Sequence, residues 1–404
     1  MKKTFTVIIS CLLLCAMLIP FVGCVKEATN AENESTSSQG GIESDSGSSD
    51  TESTSNSDSS DSENDEKNDP QPEMLMRSYD FSKSTEGFKL LGRMEKTSDG
   101  VTCDLTATGI EFSGYMSGKV IVALSCTADT YFTVYIDGVR SEERLFANSS
   151  TKNIVVADFE EGGEHTIRLV KQSEAQRSLC VLKKVVFYGY LNEAPEDRNT
   201  YIEIIGDSIT CGYGNLWSQG APGDAASALY EDGTQAFPFL TAEALGADCS
   251  VVGCSGVGID KGWTAFSESD FYSQWCRYRN TNNPYDFGSA RVPDLVIINL
   301  GTNDASRGST EEGFKEKAKQ LIEYIRKSYG KDVPIVYTYG MMGSARSEWM
   351  IPLLESMGGE NAGLYYVPLN YNQSGGGGHP TAEAHEFATE LLVDFITSKG
   401  ILKK

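Results

Sequence analysis

Compact apolar runs that alternate with helical stretches constrain the fold of this chain more than any other feature. They cover residues 201–205, 249–253, 294–300, 333–339 and 364–369. Short and almost continuously apolar runs are typical of strands buried on both faces of a parallel sheet. Because helical segments fall between them, we predict an open α/β sheet with helices on both faces over residues 200–404.

Two helices of this region have clear signals. Ser309, with Glu312 three residues later, indicates a capping box, and Gly330 predicts the end of that helix. The predicted inward face of this helix consists of Phe314, Ala318, Leu321, Ile322 and Ile325. A last helix is predicted to begin at Thr381, and its predicted inward residues are Phe387, Leu391 and Phe395.

Residues 76–190 are strand-like and lack helical periodicity. Their short apolar or alternating runs lie at 87–93, 109–115, 119–126, 131–136, 153–159, 165–170 and 180–188. Turn signals such as Asp137-Gly138 and Gly162-Gly163 separate the runs. This spacing predicts an all-β sandwich or jelly roll. A short linker at 191–200 indicates close docking onto the second domain, so we expect this sandwich to shape a shared rim rather than to act as an independent binding domain.

The first 75 residues are not expected to be globular. Residues 1–24 begin with two lysines, continue through an apolar stretch and end at Gly23-Cys24. This is typical of a secretory signal and resembles the bacterial lipoprotein pattern, in which Cys24 would carry the lipid. The pattern predicts an extracellular, cell-surface lipoprotein held at the membrane through Cys24. Phe21 departs from the usual leucine, so simple secretion stays open as an alternative.

Residues 25–75 predict a disordered acidic, serine-rich linker. The segment has no aromatic residue, and its fourteen acidic against two basic residues supply −12 of the chain's net charge of −23. Such a composition buries too little apolar area to offset chain entropy. The remaining net charge is also negative, which argues against a nucleic-acid partner.

Cysteine and histidine usage argues against a metal site. The chain has ten cysteines and three histidines, with no CxxC spacing and no ligand cluster. Seven cysteines follow the predicted signal. The sequence allows one or two disulfides among them but does not indicate which cysteines pair. Cys211 is interpreted as a small packed thiol. We therefore predict no metal and no cofactor.

Four short blocks supply the groups that serine acyl transfer requires. Ser208 follows an apolar run and can act as the nucleophile, while His379 precedes the last helix and can act as the base. Oxyanion donors are available from the Ser208 N–H, the Gly256 N–H and the Asn303 side chain. Gly258 is the alternative to Gly256. The flanking Asp207 and Asp304 are expected to hold backbone amides, and His385 is expected to be structural.

In this order, the blocks at 206–208, 253–258, 301–304 and 379–380 resemble those of the SGNH (GDSL-like) hydrolase superfamily. The preceding sandwich, together with the glycine block that leads to Trp263, resembles carbohydrate esterase family two, whose members include acetyl esterases of the acetylxylan esterase type. The resemblance implies an α/β/α three-layer fold, Ser208 as nucleophile and His379 as base. It also implies the three oxyanion donors and a place for Trp263 in the sugar-binding site.

One position departs from the superfamily pattern. Its members usually have aspartate three residues before the histidine, where this chain has Gly376. Either a backbone carbonyl of the glycine loop or a distant acid must then orient the imidazole, and we favour the carbonyl. The resulting hypothesis is a Ser-His esterase that removes O-acetyl groups from acetylated plant polysaccharide such as xylan or glucomannan. Its rivals are a lipase or thioesterase of the same superfamily and an inactive glycan-binding surface protein.

Overall fold

The computed structural model describes residues 73–266, 272–273, 282–343, 346–370 and 373–402. The predicted signal segment with Cys24, and all but the last three residues of the predicted linker, lie outside these ranges. From residue 73 onward, the described residues belong to one compact unit. That unit contains an all-β part followed by an α/β part.

The all-β part is an antiparallel sheet, ten-stranded within the described ranges. Its strands are β1 (Leu75–Asp80), β2 (Lys89–Leu91), β3 (Lys96–Thr97), β4 (Gly100–Thr102), β5 (Gly109–Cys126), β6 (Thr130–Ile136), β7 (Val139–Arg140), β8 (Leu145–Ala147), β9 (Asn153–Lys171) and β10 (Cys180–Leu191). The order is β3-β4-β10-β5-β9-β6-β7, with β1 paired to β10, β2 to β5 and β8 to β6. Alternate residues such as Ile110 and Phe112 of β5 face its core.

Two predicted interruptions in this sheet are absent. The runs at 109–115 and 119–126 are one strand, β5, and those at 153–159 and 165–170 are one strand, β9. The prediction of a turn at Gly162-Gly163 was therefore wrong. The glycines instead lie at a bulge, where Met116 of β5 pairs with Gly163 while Gly118 pairs with Phe159. Asp137-Gly138 does form the predicted turn, with both residues at positive φ.

The α/β part has a parallel sheet with the order β12-β11-β13-β14-β15. Its strands are β11 (Thr200–Gly206), β12 (Ala247–Gly253), β13 (Leu295–Asn299), β14 (Ile335–Gly340) and β15 (Leu364–Leu369). The helices are α1 (Ser208–Cys211), α2 (Phe237–Ala244), α3 (Thr302–Ser306), α4 (Glu311–Tyr329), α5 (Ser347–Ser356) and α6 (Ala382–Lys399). Short 3₁₀ turns cover Ala228–Tyr230, Gly233–Gln235, Gly359–Ala362 and Gly376–Gly378.

The predicted three-layer α/β/α arrangement is confirmed. On one face of the sheet, Ile205 and Ile298 pack in a cluster with Phe314 of α4. On the other face, Ile204 packs in a cluster with Phe237 of α2 and with residues of α6. Both clusters also include residues of the all-β part, so the two parts share buried apolar surface.

Two helix details differ from the sequence prediction. The N-cap of α4 is Thr310, whose Oγ1 accepts a hydrogen bond from Gly313 N (3.1 Å), rather than Ser309. Ser309 Oγ instead donates to Asp260 Oδ2. The predicted inward face of α4 and its end at Gly330 are correct. Thr381 does cap α6, but the buried face of that helix runs through Ala384, His385, Ala388, Thr389, Leu392 and Ile396.

Phe387, predicted to face inward on α6, is 44% exposed. Leu391 and Phe395 are only partly buried. The prediction followed the largest apolar side chains, whereas the buried face also includes small and polar residues such as Ala384, Ala388 and Thr389. Six cysteines of the described ranges are free, with Cys126 Sγ and Cys180 Sγ 3.1 Å apart on paired strands.

Candidate active site

The predicted nucleophile lies in a tight turn at the carboxyl end of β11. This strand has β12 on one side and β13 on the other, the switch point at which open α/β sheets bind ligands. A Cβ on Gly206 would come within 1.9 Å of Thr210 Oγ1, so the turn requires glycine. Asp207 Oδ1 caps α1 by accepting from Ile209 N (3.0 Å). Ser208 begins α1 and is 6% exposed.

The fold brings the predicted base to this serine. His379 Nε2 and Ser208 Oγ lie 2.7 Å apart, although 171 residues separate them in the chain. The glycine loop before His379 is anchored on the turn after α1, because Gly376 N donates to Gly214 O (2.9 Å). His379 N in turn donates to Gly376 O (3.1 Å). The pair has the geometry of a nucleophile and its general base.

The imidazole ring is restrained by stacking. Tyr213 stacks on His379 with ring centroids 4.2 Å apart and planes 29° apart. His379 Nδ1 is buried and has no hydrogen-bond partner among the residues described. No acid is bonded to Nδ1 within these ranges, and the nearby carbonyl groups of Gly377 and Gly376 act on the ring without the geometry of a full hydrogen bond. Stacking on Tyr213 is therefore one restraint on the ring, and the carbonyl groups of the glycine loop are a second.

Burial controls the protonation of the base. Loss of water around the ring lowers the pKa of His379 to about 4, while the carbonyl groups of Gly377 and Gly376 oppose this shift and Arg177 adds to it. The ring is therefore neutral near pH 7, the form that can accept a proton from Ser208. Burial also raises the pKa of the neighbouring Asp207 to about 7.

Packing around residue 376 explains the missing aspartate. Gly376 is buried, and a Cβ there would lie 2.7 Å from Ala225 Cβ, 3.0 Å from Trp217 Cβ and 3.1 Å from Gly214 Cα. Contacts this short leave no room for a side chain. The glycine is thus a consequence of how the loop docks on residues 214–225.

The glycine block after β12 lies beside the nucleophile turn. Cys254 N donates to Gly206 O (3.2 Å). Gly256 has φ +80°, and a Cβ there would lie 3.2 Å from Trp263 Cβ, so both its conformation and its surroundings favour glycine. Gly258 is packed inside the same loop, where a Cβ would lie 2.1 Å from Lys261 O. These contacts favour Gly256 over Gly258 as the residue that faces a ligand.

Asn303 joins the glycine block to the nucleophile turn. It lies in α3, and its Nδ2 donates to Val257 O (2.8 Å) and to Asp207 Oδ2 (3.1 Å). Both amide hydrogens are therefore engaged. Donation to an oxyanion therefore requires the exchange of one of these two bonds.

The residues expected to be structural make structural contacts. Asp304 accepts from Ile259 N (3.0 Å), Asp260 N (2.7 Å) and Lys261 N (2.8 Å), and so holds the loop that follows the glycine block. His385 is fully buried and its Nδ1 accepts from Phe237 N (3.2 Å). Neither residue contacts Ser208.

Trp263 stands at the rim of the site. It is 66% exposed and is not part of the core. Its Nε1 donates to Ser306 Oγ (3.1 Å), and the Arg307 guanidinium lies 4.4 Å from the ring centroid. Its backbone N donates to Gly256 O (2.7 Å), which fixes the indole next to the glycine block.

Sequence reasoning missed four residues near the site. Arg177 lies 4.8 Å from the Tyr213 ring centroid, and Glu174 and Gln176 both bind Ser255. Tyr213 could have been noticed as an aromatic residue five positions after Ser208. The other three lie between β9 and β10 in the all-β part. No sequence pattern links them to the four blocks that carry the predicted catalytic groups.

Two kinds of feature are absent from the part of the chain that the structure describes. No group of three or more His, Cys, Asp and Glu side chains is placed there to hold a metal ion. No helix there has the length and apolar composition of a membrane span.

Comparison with known families divides the chain into two matched regions. Residues 202–392 match the GDSL-like Lipase/Acylhydrolase family. Residues 90–195 match the family described as Carbohydrate esterase 2 N-terminal.

Similar proteins are carbohydrate esterases. The cellulase/esterase CelE of Acetivibrio thermocellus is 28% identical over 242 residues, covering 57% of this chain and 28% of that protein. The chain thus spans less than a third of the length of CelE. An acetylxylan esterase / glucomannan deacetylase of Cellvibrio japonicus is 28% identical over 262 residues, covering 59% of this chain and 70% of that protein.

A solved structure with the same fold is that of a family two carbohydrate esterase from Clostridium thermocellum in complex with cellohexaose. It superimposes with a TM-score of 0.71 at 25% sequence identity. The match covers 78% of this chain and 100% of the other.

Proposed function

We propose that this chain is a serine esterase that removes O-acetyl groups from plant cell-wall polysaccharide, because residues 202–392 match the GDSL-like Lipase/Acylhydrolase family and residues 90–195 match the Carbohydrate esterase 2 N-terminal family. The observation that carries the proposal is the 2.7 Å contact between Ser208 Oγ and His379 Nε2. The similar carbohydrate esterases support the reaction class.

In the proposed mechanism, neutral His379 accepts the Ser208 proton as Oγ attacks the acetyl carbonyl carbon. The oxyanion accepts hydrogen bonds from the Ser208 and Gly256 N–H groups and from Asn303 Nδ2. His379 then donates its proton to the departing sugar oxygen, which leaves as a hydroxyl group and leaves an acetyl-enzyme. Water attacks that ester while His379 accepts a proton from it, and His379 returns this proton to Ser208 Oγ as acetate is released. No step requires a metal or a cofactor.

The exposed indole of Trp263 supports a carbohydrate substrate. It lies next to the glycine block, where one face of a sugar ring could stack while an acetyl group reaches Ser208. The Cellvibrio japonicus relative is named for acetylxylan and glucomannan. We propose these two acetylated polymers as the first substrates to test.

We further propose that the enzyme works at the cell surface. The Gly23-Cys24 signal end supports lipid attachment at Cys24, and the acidic segment 25–75 would act as a tether that lets the enzyme reach insoluble polymer. Simple secretion is the alternative outcome. Mass spectrometry of membrane and medium fractions separates them, because lipidation adds acyl mass to a chain that begins at Cys24.

The proposed activity is tested by acetate release from acetylated xylan and acetylated glucomannan, beside hydrolysis of a long-chain aryl ester. We expect acetate from a polysaccharide and little long-chain turnover. Ser208→Ala should lower kcat on the order of 10⁴-fold or more. The matched control is Ser218→Ala, at an exposed serine, which should leave kcat unchanged.

Other outcomes identify the rivals. Long-chain hydrolysis that depends on Ser208 would move the chain to the lipases or thioesterases. Binding of polysaccharide without turnover would indicate a glycan-binding surface protein. Binding should be measured beside turnover because the similar esterase from Clostridium thermocellum was solved in complex with cellohexaose. Turnover that survives Ser208→Ala would contradict the assigned nucleophile.

A further inference from the structure

The segment between β9 and β10, residues 172–179, connects strands of the all-β part but binds the α/β part. We name it the clamp loop. Glu174 N donates to Glu231 Oε1 (2.5 Å), and Arg177 Nε donates to Glu231 Oε2 (2.9 Å). Gln172 O accepts from Gly233 N (2.8 Å). These bonds fix the loop against the segment that precedes α2.

The clamp loop holds Ser255 from both sides. Glu174 Oε2 accepts from Ser255 N (2.7 Å), and Gln176 Nε2 donates to Ser255 O (2.7 Å). Gln176 Nε2 also lies 2.8 Å from Cys254 Sγ. Glu174 is fully buried, whereas Gln176 is exposed.

The second of these bonds acts directly on the proposed oxyanion donor. The carbonyl of Ser255 and the N–H of Gly256 belong to the same peptide group, which is planar. Fixing the direction of the carbonyl therefore fixes the direction of the N–H. A hydrogen bond to the carbonyl oxygen also polarises the peptide, which strengthens its N–H as a donor.

We propose that Gln176, with Glu174, is a positioning residue for catalysis: the clamp loop of the all-β part aims and polarises the Gly256 N–H toward the oxyanion. This inference rests on the proposed esterase function and on the role of Gly256 in it. A positioning residue acts in the transition state, where charge develops on the carbonyl oxygen, and contributes little to the binding of the neutral ester.

The test uses the full chain with Gln176→Leu, which keeps the size of the side chain and removes the donor. We expect kcat on an acetyl ester to fall by about tenfold, part of the loss that removal of a whole oxyanion donor causes. KM should change less than twofold and the melting temperature should stay the same, because Gln176 is exposed. Gln320→Leu, the same substitution on the outer face of α4, is the matched control and should leave kcat unchanged.

A second variant gives a signature that a merely structural role would not produce. In Gln176→Glu, the carboxylate is ionised near pH 7 and repels the Ser255 carbonyl. At lower pH the carboxyl group is protonated and can donate a hydrogen bond to that carbonyl. Its kcat relative to the unmodified enzyme should therefore rise between about pH 7 and about pH 5, toward the ordinary glutamate pKa. The same ratio for Gln176→Leu should be flat.

The outcomes separate the two proposals. An active enzyme that loses turnover with Ser208→Ala but keeps full kcat with Gln176→Leu would overturn the positioning role and leave the esterase function intact. A pH-independent ratio for Gln176→Glu, or an increase in KM that accounts for the whole effect of Gln176→Leu, would also overturn it. An enzyme with no Ser208-dependent turnover would overturn both proposals.

Discussion

The imidazole of His379 is held by a stacked tyrosine and a tight glycine loop, with Nδ1 left without a described partner. At the scale of single residues, sequence reasoning placed Ser208 and His379 correctly beside each other because both lie in short local motifs at element ends. It could not place Tyr213 against the ring or explain Gly376. Those features depend on contacts between segments that are distant in the chain.

The low pKa of His379 predicts that the pH profile of kcat/KM falls only at unusually low pH. Since only the neutral ring can accept the Ser208 proton, turnover should fall as the pH drops through the pKa of about 4. It should be nearly constant from about pH 5 to pH 7. The pH profile of kcat/KM on a small acetyl ester checks this. A half-maximal rate near the ordinary histidine pKa of about 6.5 would contradict the effect of burial.

Introducing at position 376 the aspartate that superfamily members usually have should not create a Ser-His-Asp triad. Gly376→Asp forces a side chain into contacts of 2.7–3.1 Å, so the free energy of unfolding should fall by about 1–3 kcal/mol with no gain in kcat. Chemical denaturation and acetyl ester kinetics measure both. Gly343→Asp is the matched control, because Gly343, like Gly376, is not at positive φ and nothing lies within 4 Å of a Cβ there. A more active Gly376→Asp enzyme would show that the loop can open to admit the acid.

At the scale of elements, existence and type were predictable, as were the face and the end of α4, whereas the start of α4 and the face of α6 were not. The five parallel strands follow from continuous apolar runs, which only a doubly covered sheet can bury. The cap of α4 moved from Ser309 to Thr310 because the Ser309 hydroxyl binds Asp260 across the loop. The predicted face of α6 was wrong because the buried side is set by the contacts of the helix in the fold and includes alanines, a histidine and a threonine as well as Leu392 and Ile396. Both errors concern tertiary contacts that override local pattern.

Asp304 connects α3 to the loop after the glycine block, and its loss should loosen both. In Asp304→Asn, an amide N–H₂ replaces one acceptor oxygen and opposes a backbone N–H among residues 259–261. We expect the free energy of unfolding to fall by about 1–3 kcal/mol, together with a lower kcat. Asp332→Asn, at an exposed aspartate, is the matched control. Unchanged stability in Asp304→Asn would mean that water replaces the lost acceptor.

At the scale of the whole molecule, the two parts meet through buried charge as well as apolar surface. Arg93 of the all-β part donates to Glu203 Oε1 of β11 (2.7 Å) and to Tyr272 O (2.7 Å). Both charged side chains are fully buried. The sequence indicated close docking from a short linker, but it held no sign of this pair, because neither residue stands in a recognisable motif.

Unfolding should therefore be a single cooperative transition. Arg93→Met would leave Glu203 buried without its cation and should cost about 3–5 kcal/mol. Arg93→Met with Glu203→Leu should recover much of this loss. Differential scanning calorimetry measures both effects. Two separate transitions in the unmodified chain, with only one shifted by Arg93→Met, would contradict the cooperative interface.

The clamp loop also bears on how a protein with this architecture can be inherited. A gene rearrangement that moved only residues 200–402 would transfer Ser208 and His379, yet it would leave behind Gln176 and Glu174, which hold the neighbour of Gly256. The two parts would then have to be exchanged between genes as one cassette. For the same reason, a chimera that joins this α/β part to a foreign β-sheet partner needs the clamp loop grafted with it.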